Sequence, residues 1–285
     1  MRDRYAVIGN PVAHSRSPEI HAAFAAQTGE DLDYQRLLVP REEFAASVAA
    51  FRDAGGCGAN VTVPFKEEAC GVATVLSARA RQAGAVNTLR FGPKGIYGDN
   101  TDGLGLTRDL IDNLNVVLTG KRILLLGAGG AARGALGPLL EQNPTVLVVA
   151  NRSEKRAEEL VAQFANIANA GANGSGVNRS GVNLAASSFV SLVGRQFDLV
   201  INATAASLAG EAIVLPDGIY ATGAIAYDMM YGKNDTPFLA AARAKGAHVA
   251  DGLGMLVEQA AESFFLWRGV RPETRSVLEG LRRRL

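Results

Sequence analysis

The sequence predicts an α/β fold in two domains. Three observations carry that expectation. Short apolar runs alternate with helical patterns along most of the chain, as in folds with a mainly parallel sheet. The alternation comes in two series, separated by one helical stretch from Leu104 to Leu114. The second series opens on "ILLLGAGGAARGAL", an apolar strand that runs into a glycine-rich turn and a helix. The length, 285 residues, suits one large or two medium domains.

The first series begins with "YAVIG", a strand, followed by a helix from Ser17 to Gln27. "YQRLLVP" precedes a helix from Glu42 to Ala54, and "GANVTVP" precedes one starting at Phe65. A strand pair falls between Ala85 and Tyr97. The second series continues through "TVLVVANRS", "FDLVINAT" and "AIAYDMMY". Asn166 to Asn183 is rich in Gly, Asn and Ser and reads as a surface loop or insertion. "GLGMLVEQAAESFFLWRG" carries helical apolar spacing at Leu256, Ala260, Phe264 and Trp267. A final helix, Glu273 to Leu285, ends in Arg282, Arg283 and Arg284, where cations suit a helix C-terminus.

Composition narrows the function classes. Hydrophobic residues make up 48%, enough for real cores, while 29 Lys and Arg balance 28 Asp and Glu. That balance gives no electrostatic reason to expect nucleic acid or an anionic membrane as partner. The two cysteines, Cys57 and Cys70, and the three histidines show no ligand spacing, so no metal is expected. No apolar run is long enough to span a bilayer, and "MRDRYAVIG" enters a strand without a signal-peptide core. A reduced, cytoplasmic protein with a small-molecule partner, monomer or homodimer, is the expectation.

Gly127, Gly129 and Ala132 fit G-x-G-x-x-A between a strand and a helix. The first glycine permits the tight turn, the second lets a pyrophosphate approach the backbone, and the small third residue lets helix and strand pack closely. A structural turn is the plainer alternative. After the next strand come Asn151, Arg152, Ser153 and, one turn on, Arg156. An NAD site places Asp or Glu at such a strand end to accept from the ribose hydroxyls. Guanidinium groups instead suit a 2′-phosphate, so NADP is the cofactor expected.

Several polar stretches resist a packing explanation. "GNPVAHSRSPEIH" holds Ser15 and Ser17 just before Pro18. Ser17 reads as an N-cap and Pro18 as the first helical residue, and the same helix start would seat a carboxylate. "GANVTVPFK" puts Asn60 and Thr62 on one side of a strand, with Lys66 just beyond. "GAVNTL" places Asn87 inside an apolar strand, and "GDNTDGLG" sets Asp102 at a helix entrance. Each has a plain reading: an amide serving a loop, an N-cap, a solvated lysine. Together they meet a chemical need. Hydride reduction of a carbonyl leaves negative charge on oxygen; an ammonium can stabilise it and donate the proton, and a carboxylate can hold the ammonium. Gln259, an amide on the helix face carrying Ala260, requires a partner too.

The segments "GNPVAHSRSPEIH", "NVTVPFK", "GAVNT", "GDNTDG", "GAGGAARG", "NRS", "YDMMYGKNDTPFL" and "DGLGMLVEQ" run in that order from residue 9 to residue 259. The set closely resembles the shikimate dehydrogenases. The resemblance implies NADPH-dependent, reversible reduction of 3-dehydroshikimate to shikimate. It implies Lys66 and Asp102 as the catalytic pair. Ser15 and Ser17 would hold the substrate carboxylate; Asn60, Thr62, Asn87 and Gln259 would bind the ring hydroxyls or their surroundings, and Tyr231 would close on the substrate. Gly127, Ala128, Gly129, Gly130 and Ala131 would hold the cofactor phosphates; Asn151, Arg152, Ser153 and Arg156 the adenosine end; Met229 and Gly252 would lie against the nicotinamide. It also implies a substrate and catalytic domain over 1–103, a Rossmann-like NADP domain over 104–251, and C-terminal helices over 252–285 returning to the first, with a cleft that closes to exclude water. Ala205 stands where the family pattern has a serine, and Asn166 to Asn183 is longer than that pattern. Two rivals remain: a quinate/shikimate dehydrogenase using NAD, and a catalytically silent binding protein of the same fold.

Overall fold

The computed structural model describes residues 2–170, 181–204, 206, 211 and 213–285. They form two compact units, one of residues 1–106 with 256–284 and one of residues 107–255. The first unit is therefore discontinuous in sequence.

The first unit is built on a six-stranded sheet in the order β2-β1-β3-β5-β6-β4. The strands are β1 (Asp3–Gly9), β2 (Leu32–Leu38), β3 (Gly56–Val61), β4 (Val75–Leu76), β5 (Thr88–Gly92) and β6 (Gly95–Asp99). β1 pairs in parallel with β2 and β3; β5 is antiparallel to β3 and β6. α1 (Ser17–Thr28) and α2 (Phe44–Asp53) connect the parallel strands. One core gathers Ile8, Phe44, Val48, Val61, Phe65 and Leu89. The short helices α3 (Glu68–Val72) and α4 (Ala78–Ala83) follow β3 and β4. The helix expected from Phe65 thus begins at Glu68; Phe65 lies in a turn closed by its N–H donating to the Thr62 carbonyl at 3.1 Å. α5 (Asp102–Arg108) runs on into a π-helical turn, Asp109–Asn113, so the expected Leu104 to Leu114 helix is present but starts earlier and changes pitch.

α9 (Leu253–Arg268) and α10 (Arg275–Arg282) supply the C-terminal part. Trp267 of α9 stacks on Tyr5 at 4.5 Å and donates its indole N–H to the Leu89 carbonyl at 3.0 Å. Gly58 makes that approach feasible: a Cβ there would stand 2.7 Å from the indole nitrogen. Arg268 pairs with Asp3 and Glu30, fastening the end of α9 to the start of β1 and the end of α1. α10 stops at Arg282, short of the expected Leu285.

The second unit carries six strands, all parallel: β7 (Arg122–Leu126), β8 (Val146–Ala150), β9 (Asn183–Ser187), β10 (Phe197–Asn202), β11 (Tyr220–Asp228) and β12 (His248–Asp251). Their order is β12-β11-β10-β7-β8-β9. Read from β9, this is the doubly wound order 3-2-1-4-5-6 of dinucleotide-binding sheets. α6 (Gly130–Glu141) and α7 (Glu154–Ala170) follow β7 and β8, and α8 (Pro237–Ala244) precedes β12. Strands buried on both faces read as continuous apolar runs, and Ile123 to Leu126 have no exposed surface. α7 extends through residues 166–170, which the sequence placed in a loop, and Asn183 opens β9. The centre of the expected insertion, and Ala205, lie outside the described residues.

Candidate active site

Lys66 and Asp102 meet in the first unit. Lys66 follows β3, in the turn before α3, and its backbone is fixed there by its carbonyl, which accepts from the Val86 N–H at 2.7 Å. Asp102 is the first residue of α5, where a carboxylate is favoured by the helix dipole. Its own N–H donates to Asn100 Oδ1 at 3.2 Å. Lys66 Nζ donates to Asp102 Oδ2 at 2.6 Å, with the aspartate side chain 7% exposed and the lysine 18%. The pair is buried enough to interact strongly, and the lysine stays partly exposed.

Asn87 occupies the other oxygen of Asp102. Its Nδ2 donates to Asp102 Oδ1 at 2.8 Å, to Thr101 Oγ1 at 2.9 Å and to Gln259 Oε1 at 3.2 Å. Its Oδ1 accepts from the Thr101 N–H at 2.8 Å. Asn87 lies one residue ahead of β5, not inside it, and its amide meets Asp102 of α5 and Gln259 of α9. Gln259 donates from Nε2 to the Leu256 carbonyl at 2.8 Å, so its oxygen faces Asn87. Asn60 is 5% exposed; it accepts from Tyr34 OH at 2.7 Å and donates to Ser263 Oγ at 2.9 Å. Thr62, half-buried, lies just past β3, and a side chain at Gly9 would collide with its methyl group.

Ser15 and Ser17 face one another, hydroxyl to hydroxyl, at 3.1 Å. Ser17 is not the N-cap. It is the first residue of α1, and Arg16 holds the cap position with no side-chain bond. The Ser17 N–H donates to Ser15 Oγ at 3.3 Å, so the side-chain acceptor at the helix start is Ser15 and not Ser17. Arg36, from β2, donates twice to the Ser15 carbonyl, at 2.9 and 2.6 Å, and fixes the loop. The result is two adjacent hydroxyls beside a helix N-terminus, a suitable seat for an anion.

Behind this set sits His21, fully buried and stacked on Tyr34 at 4.3 Å. Neither ring nitrogen has a partner in hydrogen-bonding geometry among the described residues. Burial lowers its pKa to about 3, and the Asn60 amide, already committed elsewhere, opposes that shift only weakly. The imidazole is a neutral packing ring. Sequence reasoning missed Tyr34, Arg36, Thr88 and Ser263, which support the site. Ser263 alone left a usable trace, one helical turn past Gln259 on the same face.

The expected cofactor residues all fall in the second unit. Gly127 follows β7 with φ of +108°, a conformation that favours glycine, and a Cβ there would stand 3.2 Å from the Ala203 backbone after β10. The two loops meet where the strand order reverses, the usual seat of a dinucleotide. Gly129 differs: a Cβ there would meet nothing within 4 Å. It leaves open space above the first turn of α6, where Gly130 and Ala131 present N–H groups without intrahelical partners. Ala128 is buried against the turn. After β8, Asn151 donates to the Ser153 carbonyl at 3.0 Å and rigidifies the bend. Arg152, Ser153 and Arg156 are exposed, and neither arginine has an ion-pair partner among the described residues. Met229 and Gly252 lie together, since a Cβ at Gly252 would overlap the Met229 backbone. Tyr231, in the loop after β11, also belongs to this unit, unlike the other expected substrate residues. These residues fit a phosphate-bearing dinucleotide. Among the described residues no group of His, Cys, Asp and Glu could hold a metal ion.

Fold and site together define a class: an α/β dehydrogenase with a glycine-turn nucleotide fold in one unit and a lysine–carboxylate pair in the other. Family models for the shikimate dehydrogenase substrate binding domain, shikimate / quinate 5-dehydrogenase and the shikimate 5'-dehydrogenase C-terminal domain match residues 7–89, 109–173 and 252–282. The chain belongs to the shikimate dehydrogenase family. It is 61% identical to the shikimate dehydrogenase (NADP(+)) of Aromatoleum aromaticum, over 99% of this chain and 98% of that one. Among solved structures it resembles an Ael1 enzyme from Pseudomonas putida, at 45% identity and TM-score 0.86 over 98% of each chain. It also resembles shikimate 5-dehydrogenase from Thermus thermophilus, solved with NADP(H) and shikimate, at 31% identity and TM-score 0.83 over 99% of this chain and 100% of that one.

Proposed function

We propose that the chain interconverts 3-dehydroshikimate and shikimate with NADP as cofactor, the first unit binding substrate and the second the dinucleotide. The observation that carries this reading is the buried Lys66–Asp102 contact at 2.6 Å, with Asn87 on the second carboxylate oxygen. Bound NADPH supplies the hydride. The chain's own residues do the rest. A ketone carbon that gains hydride leaves an electron pair on its oxygen, and that oxygen must take up a proton. The Lys66 ammonium donates a hydrogen bond and then the proton, and is reprotonated from solvent. Asp102 holds the ammonium in place throughout. In the reverse direction neutral Lys66 accepts the hydroxyl proton. Ser15 and Ser17 hold the substrate carboxylate, while Thr62 and the free N–H of Gln259 receive ring hydroxyls. Tyr231 closes on the substrate. Arg152 and Arg156, without ion-pair partners among the described residues, favour the 2′-phosphate, and Glu154 starts α7 beside them as an exposed residue. The two free cysteines suit a reducing cytoplasm. The test is oxidation of NADPH by the purified protein given 3-dehydroshikimate, with NADH and quinate as controls. No NADPH oxidation, or equal rates with NADH, overturns the assignment.

A further inference from the structure

The hydrogen bonds that hold Asp102 continue behind Asn87 through two hydroxyls, Thr88 and Ser263, both with no exposed surface. Their directions can be assigned. Asn60 Nδ2 lies 3.2 Å from the Asn87 main-chain carbonyl, which can only accept, so the Asn60 amide has one orientation. Its oxygen therefore accepts from Tyr34, and its Nδ2 donates to Ser263 Oγ at 2.9 Å. Ser263 accepts there, and two acceptors stand open to its own proton, Thr88 Oγ1 at 2.8 Å and the Gln259 carbonyl on its own helix at 3.1 Å; Asn60 Nδ2 also lies 3.2 Å from Thr88 Oγ1. Thr88 accepts from Ser263 or from Asn60 Nδ2, and donates to Asn87 Oδ1 at 2.9 Å. Asn87 is fixed independently by the Thr101 N–H on Oδ1, so its Nδ2 faces Asp102.

Whichever of its two neighbours Thr88 accepts from, the donors point toward the carboxylate: from Tyr34 to Asn60, on to Thr88 directly or through Ser263, then to Asn87 and Asp102. Hydrogen bonds aligned head to tail in a buried site polarise one another. We propose that Thr88 and Ser263 are positioning residues, whose hydroxyls polarise the Asn87 amide and so strengthen its hold on Asp102 against Lys66. The proposal rests on the reading of Lys66 and Asp102 as the reacting pair. Neither hydroxyl belongs to the groups expected to touch substrate or cofactor. Were they only packing groups, removing them would change stability and leave turnover alone.

Thr88→Val keeps the shape and removes the hydroxyl; Thr88→Ser keeps the hydroxyl. In shikimate oxidation at saturating NADP+, Thr88→Val should lower kcat about tenfold, the scale of one unmade buried hydrogen bond, with a smaller change in KM. Thr88→Ser should restore most of the rate. Ser263→Ala should lower kcat less, and its effect should vanish in the Thr88→Val background, as for members of one chain. A folded Thr88→Val protein with wild-type kcat overturns the proposal. A second measurement does not depend on turnover. The Asn87 side-chain amide protons, assigned by NMR in the wild-type protein, should shift upfield in Thr88→Val and stay in place in Thr88→Ser. Unmoved signals in Thr88→Val overturn the proposal as well. If the wild-type protein fails to oxidise shikimate, the functional reading falls, and the amide signals alone decide this one.

Discussion

At the scale of single residues, the chemistry depends on one ammonium and the group that holds it. Lys66→Met keeps much of the side chain's packing and removes the charge. Its turnover should fall by about 10²–10⁴, the usual range for general acid–base help, with a much smaller change in shikimate binding. Asp102→Asn should also lose activity, and the double variant should be scarcely worse than Lys66→Met, because the two act as a unit. Steady-state kinetics on folded protein decides it, and normal turnover in Lys66→Met would sink the mechanism. His21 gives a prediction of a different kind. Its pKa, about 3 in the fold, lies below the ordinary value of 6.5. The unfolded chain therefore takes up a proton first as pH falls. The stability from a neutral His21 is complete above about pH 6.5 and is lost toward pH 3, at roughly 1.4 kcal/mol per pH unit. His21→Phe fits the same aromatic stack without that proton. The melting temperature of the variant relative to wild type should rise steadily between pH 7 and pH 4; a constant offset would refute the account.

At the scale of elements, two glycines in one turn do different work. Gly127 serves the fold, through its +108° φ and its contact with the loop after β10. Gly129 has open space beside it. Gly127→Ala should lower the melting temperature of the protein without ligand. Gly129→Ala should leave it unchanged and weaken NADP+ binding, because the added methyl stands where the phosphates approach. Calorimetry of melting and of binding separates the two, and equal behaviour would mean that the turn is structural throughout. This turn was legible in the sequence, because strand, turn and helix obey local rules that a short window contains. So were most strands of both series, though not β4, β9 and β12, which are short and flanked by polar sequence. The limits of elements were less legible. α3 begins three residues late because a turn at Thr62 to Phe65 precedes it, and α7 continues into Asn-rich sequence that reads as loop. Tyr34 and Thr88 were invisible as site residues, and Ser263 showed only through its place one turn past Gln259. A tyrosine or threonine on a strand looks like packing until the strand beyond it is known. Their partners lie up to 203 positions away, as with Asn60 and Ser263. For Lys66, Asp102 and Asn87 the residue types pointed to chemistry, and the family resemblance supplied the pairing; nothing in their spacing states a contact of 2.6 Å.

At the scale of the whole molecule, the first unit is completed by residues 256–284, after the second unit has been traversed. A chain stopped after Met255 should keep residues 107–255 resistant to limited proteolysis while residues 1–106 are digested. Equal resistance of both segments would show that α9 and α10 are dispensable to the first unit. The same discontinuity sets a timetable. During synthesis the ribosome delivers the partners of β1 and α1 last. At ordinary elongation rates of about 5–20 residues per second, the opening segment waits roughly twelve to fifty seconds for Phe264 and Trp267. Throughout that interval Tyr5, His21 and Phe24, which those rings later cover, lie open on the nascent chain.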